Sequence, residues 1–159
     1  MYQYYQIENL PPLPEELVSD VYWSIDNYKN VFYDPNHSWY KVFLANDKLQ
    51  KFTKSILNFQ HTALVQVIQK GLPIHIDFKR SYAFNYIIET GGESATTNFY
   101  KNEDFYFDQN NKLIPKFEIF DIVEKVCIPE RTWHKINVTV PHNVTGIETQ
   151  RIAITIGQQ

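Results

Sequence analysis

The stretch 71–78, GLPIHIDF, alternates apolar and polar side chains in the way a half-buried β-strand does. Its two isoleucines and Phe78 would point to one face, and His75 and Asp77 to the other. An imidazole and a carboxylate that leave a strand on the same face can aim at one point. The stretch therefore predicts either half of a metal site or two solvent-facing residues, and a third ligand elsewhere in the chain would decide between them.

Short β-branched or aromatic segments of the same kind continue to the C-terminus, separated by turn signals such as Gly91-Gly92. In the last segment, 150–157 (QRIAITIG), the three isoleucines would share one face, and the other face would carry Arg151, Ala153, Thr155 and Gly157. The oily faces can pack on helices or on an opposite sheet. The polar faces would line a cavity or face water, and alternation alone does not separate these alternatives. The segments are ALVQVIQ (63–69), PIHIDFK (73–79), YAFNYIIE (82–89), ATTNFYK (95–101), FEIFDIVE (117–124), INVTV (136–140) and QRIAITIG (150–157).

Two helices are predicted before this region. Residues 11–30 begin with prolines and continue with apolar residues at helical spacing, with Glu15 and Glu16 in the first turn. Residues 46–60 form the second, with Asn46 or Asp47 as its cap. The pattern predicts a mainly β fold with N-terminal helices, a β-sandwich or jelly roll with the helices against one sheet. The whole chain, 1–159, is expected to be one domain, with helical support at about 14–60 and a jelly-roll core at about 62–157.

The composition limits the classes of partner. The net charge of the 159 residues is −3, which does not indicate a strongly basic groove for nucleic acid. One cysteine excludes a disulfide framework within the chain and fits a reducing cytosol. The first 16 residues have neither a basic start nor an apolar run, so no signal peptide or membrane anchor is expected. We therefore expect a cytoplasmic protein.

The third ligand is sought among the other histidines. His37 and His61 lie upstream of the strand region, which leaves His134 and His142 as the stronger candidates. One more imidazole would complete a triad of two histidines and one carboxylate, which holds Fe(II) on one side and leaves open positions for oxygen and a co-substrate.

His142 is favoured over His134 because an arginine lies at a suitable distance after it in the chain. If Gly146 and Ile147 form a two-residue turn, His142 and Arg151 are cross-strand partners on one face. An arginine beside a metal suits a dicarboxylate co-substrate, since its guanidinium can hold the far carboxylate while the near end chelates the metal. A longer turn, or a bulge at Pro141, would reset this alternation.

The motifs together resemble the Fe(II)/2-oxoglutarate-dependent oxygenases. HID (75–77), then VPHNVTG (140–146), then Arg151 nine residues after the histidine is closest to small, prolyl-4-hydroxylase-like members found in phages and bacteria. The resemblance covers about residues 70 to 157. It implies a double-stranded β-helix, the cupin-like jelly roll.

The resemblance also implies roles for individual residues. His75, Asp77 and His142 would bind Fe(II), and Arg151 would bind the distal carboxylate of 2-oxoglutarate. Asn85 would also touch this co-substrate, and the pocket would be lined further by Tyr82, Thr97 and Tyr100. The activity implied is a dioxygenase that uses O2, releases succinate and carbon dioxide, and hydroxylates an aminoacyl side chain, prolyl among them, or another small group.

Some features depart from the family pattern. Many relatives have a serine two residues after the arginine, where this chain has Ala153, and Thr155 could take its place. The chain is short for the superfamily and leaves little room for lids, which suggests a large substrate or a partner that completes the pocket. For a phage protein, the location implied is the host cytoplasm.

Two other functions stay open at this point. One is a catalytically inactive jelly roll that serves as a binding or structural module. The other is a cupin-type metal enzyme without 2-oxoglutarate, from which Arg151 would distinguish this chain. The partner expected is a peptide, a protein or a small molecule rather than nucleic acid or a membrane, and the sequence does not indicate an oligomeric state.

Overall fold

The computed structural model describes residues 4–32 and 34–158, and the protein is mostly β, with antiparallel sheets. Among the described residues there is no helix long and apolar enough to cross a membrane. In chain order the elements are β1 (Tyr5–Ile7), α1 (Glu15–Asn27), β2 (Tyr40–Leu44), α2 (Asp47–Ile56), β3 (Leu64–Ile68), β4 (Leu72–His75), β5 (Tyr82–Thr90), β6 (Thr96–Tyr100), a 3₁₀ turn (Asn102–Asp104), β7 (Phe105–Phe107), β8 (Leu113–Pro115), β9 (Ile122–Val126), β10 (Trp133–Asn137), β11 (His142–Thr145) and β12 (Arg151–Gln158).

Both predicted helices are present. Asn46 is the cap of α2, because its side chain accepts a hydrogen bond from the backbone N–H of Leu49 at 3.1 Å. One strand was missed between the helices: β2 lies inside the region expected to be helical and pairs with β3. The strand is only five residues long, and such a short segment does not distinguish a strand from a piece of helix.

The strands form two larger sheets and one hairpin. The six-stranded sheet has the order β1-β10-β5-β12-β3-β2, and the four-stranded sheet has the order β4-β11-β6-β9. β7 and β8 pair with each other alone. From β3 to β6 and from β9 to β12, consecutive strands lie in different sheets, so the chain repeatedly crosses from one sheet to the other.

The six-stranded sheet has two buried faces of different kinds. Its outer face carries the isoleucines of β12, which pack with Val21 of α1 and Leu49 of α2 in the main core, as the alternation predicted. Its inner face meets the four-stranded sheet, where Ala83 and Ile136 pack against Phe99. The inner face also carries polar side chains, and these line a cavity between the sheets.

The predicted hairpin between His142 and Arg151 is wrong. β11 is hydrogen-bonded to β4 and β6, and β12 to β3 and β5, so neither strand has a free edge for the other. The chain turns at Gly146, whose φ is +72° and where a Cβ would lie 2.0 Å from the backbone oxygen of Ser94. The side chains of His142 and Arg151 nevertheless reach one cavity, because the inner faces of the two sheets oppose each other.

Candidate metal centre

The structure brings His75, Asp77 and His142 together at one end of the cavity. One ligand atom from each lies within 4.8 Å of the other two. His75 is the last residue of β4, Asp77 follows the strand by two residues, and His142 opens β11. The Cα atoms of His75 and His142 are direct cross-strand partners, which sets their rings 4.3 Å apart between centroids. The third ligand expected from the sequence is therefore next to the first two.

The two imidazoles are held by the backbone in the same way. Nδ1 of His75 lies 2.7 Å from the carbonyl oxygen of Pro73, and Nδ1 of His142 lies 2.8 Å from that of Val140. A carbonyl only accepts, so each Nδ1 carries the proton and each Nε2 keeps its lone pair. Such partners fix the tautomer and the orientation of a ligand histidine. Both Nε2 atoms are thereby prepared to bind a metal.

The carboxylate of Asp77 is oriented by Arg80. Its Oδ2 accepts a hydrogen bond from Nε of Arg80 at 2.8 Å and lies 2.8 Å from Nη2 in the same ion pair, while Oδ1 lies 3.7 Å from Nε2 of His75. The backbone N–H of Asp77 donates to the carbonyl oxygen of Val138 at 2.9 Å. One carboxylate oxygen is thus occupied by the guanidinium, and the other is turned toward the imidazoles.

His142 is kept neutral by its surroundings. The residue is 5% exposed, and burial lowers its pKa to about 4, with the charge of His75 as the next cause. A neutral imidazole is the form that binds metal. Two imidazoles and one carboxylate are the donor set of a facial triad, which suits Fe(II).

Arg151 is buried in the same cavity without an acidic partner among residues 4–32 and 34–158. Its Nε donates to the carbonyl oxygen of Thr90 at 2.9 Å and its Nη1 to Oγ1 of Thr97 at 3.2 Å. Its Nη2 has no hydrogen-bond partner. Burial, at 3% exposure, lowers the pKa of Arg151 to about 10. A cation left in this state favours the entry of an anion.

The cavity has a volume of about 70 Å³ and includes most of the residues expected from the sequence. The metal-ligand candidates, Arg151, Asn85 and Thr97 all line it, and so does Thr155. Tyr82 and Tyr100 do not. Tyr82 lies on the outer side of β5 under the ammonium of Lys135, and Tyr100 packs against Phe105 and Phe120.

Sequence reasoning missed Arg80 as a residue of the site, although it orients the Asp77 carboxylate. The spacing of three residues between Asp77 and Arg80 is compatible with an ion pair. The backbone between them includes Lys79 at a positive φ of 68°, a conformation that the sequence does not indicate. His134 was the weaker candidate for a metal ligand; it lies in the cavity but outside the triad, since its strand belongs to the other sheet.

Comparisons with known proteins bear on the fold. No protein-family model matches the sequence, and no curated protein matches it significantly. The resemblance to the 2-oxoglutarate-dependent oxygenases is confirmed at the level of the fold by solved structures whose sequence identity to this chain is low.

Three solved structures are similar over nearly the whole chain. A prolyl hydroxylase from Trichoplax adhaerens, in complex with a peptide of the hypoxia inducible factor oxygen degradation domain, is 18% identical with a TM-score of 0.55, over 97% of this chain and 82% of its own. HygX from Streptomyces hygroscopicus, with nickel, 2-oxoglutarate and hygromycin B, is 10% identical with a TM-score of 0.54, over 98% and 83%. The epimerase SnoN, with Fe³⁺, α-ketoglutarate (2-oxoglutarate) and nogalamycin RO, is 9% identical with a TM-score of 0.59, over 98% and 79%. At these low sequence identities, the similarity shows a shared fold and nothing about activity.

Proposed function

We propose that this chain is a non-haem Fe(II)- and 2-oxoglutarate-dependent dioxygenase built on a double-stranded β-helix. His75, Asp77 and His142 are the metal ligands, and Arg151 binds the distal carboxylate of 2-oxoglutarate. The observation that carries the proposal is the buried Arg151 guanidinium, which lacks an acidic partner within the described chain and shares one cavity with the triad. A structural metal site would not need such a cation.

The residues fit Fe(II) in number and in kind. Two imidazoles with free Nε2 atoms and one carboxylate supply three ligands on one side, which leaves positions for a chelating co-substrate and for oxygen. When bound, the iron supplies the oxygen chemistry that no side chain of this protein can perform. The backbone carbonyls of Pro73 and Val140 and the guanidinium of Arg80 hold the three ligands in place.

The residues also fit a short dicarboxylate. Nη2 of Arg151 is a free donor for one carboxylate oxygen, and Oγ1 of Thr97 lies beside the same guanidinium. Asn85 and Thr155, on neighbouring strands of the inner face, are further polar groups in the cavity. Because the cavity lies between two packed sheets, it keeps water from the co-substrate and strengthens each of these contacts.

The proposed reaction inserts one atom of O2 into a C–H bond of the substrate, and the second atom enters succinate as 2-oxoglutarate loses carbon dioxide. A groove of about 380 Å³ opens beside His75 and Asp77. Phe32 and Tyr40, whose rings are 4.7 Å apart between centroids, and Leu72 form its apolar wall. We propose an aminoacyl side chain, prolyl among them, or another small group as the substrate. The prolyl hydroxylase with a bound peptide supports this choice.

The test is anaerobic titration of 2-oxoglutarate into the Fe(II)-loaded protein, followed by the visible charge-transfer absorption that chelation produces. We expect His142→Ala to abolish the absorption because it removes a metal ligand. Arg151→Met should weaken 2-oxoglutarate binding on the order of 100-fold, since a buried charge pair is lost. Arg131→Met is the matched control, because Arg131 is exposed and pairs with Glu15.

The outcomes separate the proposal from its rivals. An absorption change that saturates, and that the Arg131 variant leaves intact, supports the proposal. If the metal binds but 2-oxoglutarate produces no change, the dioxygenase assignment is wrong and a metal enzyme without this co-substrate replaces it. If neither binds, the chain is a binding or structural module on the same fold.

A further inference from the structure

The side chains by which β12 lines the cavity differ in polarity from one end of the strand to the other. Gly157 lies against the side chain of Arg80, since a Cβ there would meet the Arg80 Cδ at 2.8 Å, and Arg80 holds the metal-ligand candidate Asp77. Thr155 comes next along the strand, then Ala153, and Arg151 stands at the far end. The strand thus runs from the metal end of the cavity to the cationic end, with one polar and one apolar position between them.

The polar position belongs to a row of three side chains. Thr155 is the cross-strand partner of Asn85, and Asn85 is the partner of His134 on the next strand. All three are buried and line the cavity. The row crosses β12, β5 and β10 between the metal end and Arg151.

His134 is the member of this row with the strongest need for a ligand. It is 1% exposed, and its Nδ1 has no partner at ordinary hydrogen-bond geometry, although the backbone of Thr132 interacts with the imidazole. The ring of Tyr5 lies 5.5 Å away between centroids on the side of β1. Asn85, beside it, makes no side-chain hydrogen bond within the described part of the chain. The buried Nδ1 of His134 costs stability unless a ligand satisfies it, and the amide of Asn85 is a polar group next to it in the same cavity.

The apolar residue by which β12 lines the cavity, Ala153, also belongs to a row of side chains across neighbouring strands. Ala153 pairs with Ile87, and both pack with Ile128 in a small cluster that lines the same cavity. From the metal toward Arg151, the cavity is therefore polar, then apolar, then cationic. 2-Oxoglutarate has the same order: a 2-oxo acid, two methylene groups and a carboxylate.

We propose that His134, with Asn85 beside it, hydrogen-bonds to the 2-oxo acid end of the co-substrate. This inference rests on the proposed function, and it adds a second contact region to the one at Arg151. The imidazole is neutral, because burial lowers the pKa of His134 to about 3. It therefore contributes a hydrogen bond without a second positive charge near the metal.

The experiment compares two 2-oxo acids on Fe(II)-loaded protein without oxygen, by calorimetric titration. 2-Oxoglutarate has the distal carboxylate, and 2-oxopentanoate has a methyl group in its place. We expect His134→Phe to raise the Kd of both ligands about tenfold, which is the loss of one hydrogen bond to a charged group. Arg151→Met should raise the Kd of 2-oxoglutarate alone. His134→Gln, which keeps a hydrogen-bonding group, should restore part of the affinity.

Controls keep the result independent of folding. Lys135→Met changes the next residue of β10, whose ammonium lies over Tyr82 on the opposite face, and should leave both Kd values unchanged. Asn85→Val is a second variant of the row and should also weaken both ligands. The metal-free His134→Phe protein should melt at a temperature equal to or above that of the wild type, because an unpartnered buried polar atom has been removed.

Two failures are distinguishable. If the wild type does not bind 2-oxoglutarate, the proposed function fails. If the wild type binds it and Arg151→Met weakens it, but His134→Phe and Asn85→Val change neither Kd, the inference about His134 is overturned and the proposed function stands.

Discussion

Replacing Arg151 by methionine should make the ligand-free protein more stable and the ligand-loaded protein less stable than the wild type. The side chain of Arg151 is buried, and its Nη2 has no partner. Methionine fills similar volume without charge. The substitution therefore separates the cost of a buried cation from the benefit that the proposed anionic ligand would supply.

The magnitude follows from the burial of the cation. The fall of the Arg151 pKa from its ordinary value to about 10 corresponds to about 3 kcal/mol of lost stability for the charged form. The variant also loses the hydrogen bonds to Thr90 and Thr97, at about 1 kcal/mol each. We expect the metal-free Arg151→Met protein to be about 1 kcal/mol more stable than the wild type.

The assay is denaturant unfolding, with and without Fe(II) and 2-oxoglutarate under anaerobic conditions. At about 100 times its Kd, a ligand stabilises the folded state by about 2.7 kcal/mol. The wild type should gain this amount from 2-oxoglutarate, and Arg151→Met should gain little at the same concentration. Arg151→Met should therefore be the more stable protein without the co-substrate, and the wild type should be the more stable one with it.

The control is again Arg131→Met, which removes an exposed arginine and should change unfolding by less than about 0.5 kcal/mol in either condition. A metal-free Arg151→Met protein that is clearly less stable than the wild type would refute the reasoning, since the cation would then be satisfied in the folded chain. An equal gain from 2-oxoglutarate in both proteins would refute it as well.

Two further predictions concern Arg80, which pairs with the metal-ligand candidate Asp77, and the buried His134. Arg80→Met should weaken metal binding about tenfold, because Asp77 loses the guanidinium that orients it; equal metal affinity by competition with a chelator would contradict this role. The pKa of His134 is about 3 in the folded chain and near 6.5 in the unfolded chain. As the pH falls below 6.5, only the unfolded chain protonates this imidazole, so the free energy of unfolding decreases. Between pH 6 and 5 the metal-free wild type should therefore lose about 1 kcal/mol more than His134→Phe, and identical pH profiles would exclude a buried neutral His134.

The sequence by itself determined most of the strand pattern in the second half of the chain and the side chains that are candidates for the site. Period-two alternation placed the isoleucines of β12 on one face and Arg151 on the other, because side-chain direction in a strand depends only on residue parity. The pair His75 and Asp77, with His142 and Arg151 downstream, indicated the same donor set that the structure brings together. These are local properties or short motifs, which need no knowledge of the remaining chain.

Only the tertiary structure decided which strands are neighbours. A hairpin between β11 and β12 would satisfy the same alternation, but their hydrogen bonds go to β4, β6, β3 and β5, because the chain turns at Gly146 into the other sheet. Each strand edge can hydrogen-bond to several other strands of the chain, so closeness in sequence does not determine which strands pair.

The partners of the ligands were also beyond the sequence, for the same physical reason. The carbonyls that orient His75 and His142 belong to the backbone, which every residue carries, so no letter marks them. Likewise, His134 looks like any strand histidine until the packing of β1 and β5 around β10 buries it beside Asn85. Burial and unmet hydrogen bonds depend on the whole surrounding shell, and that shell exists only in the folded chain.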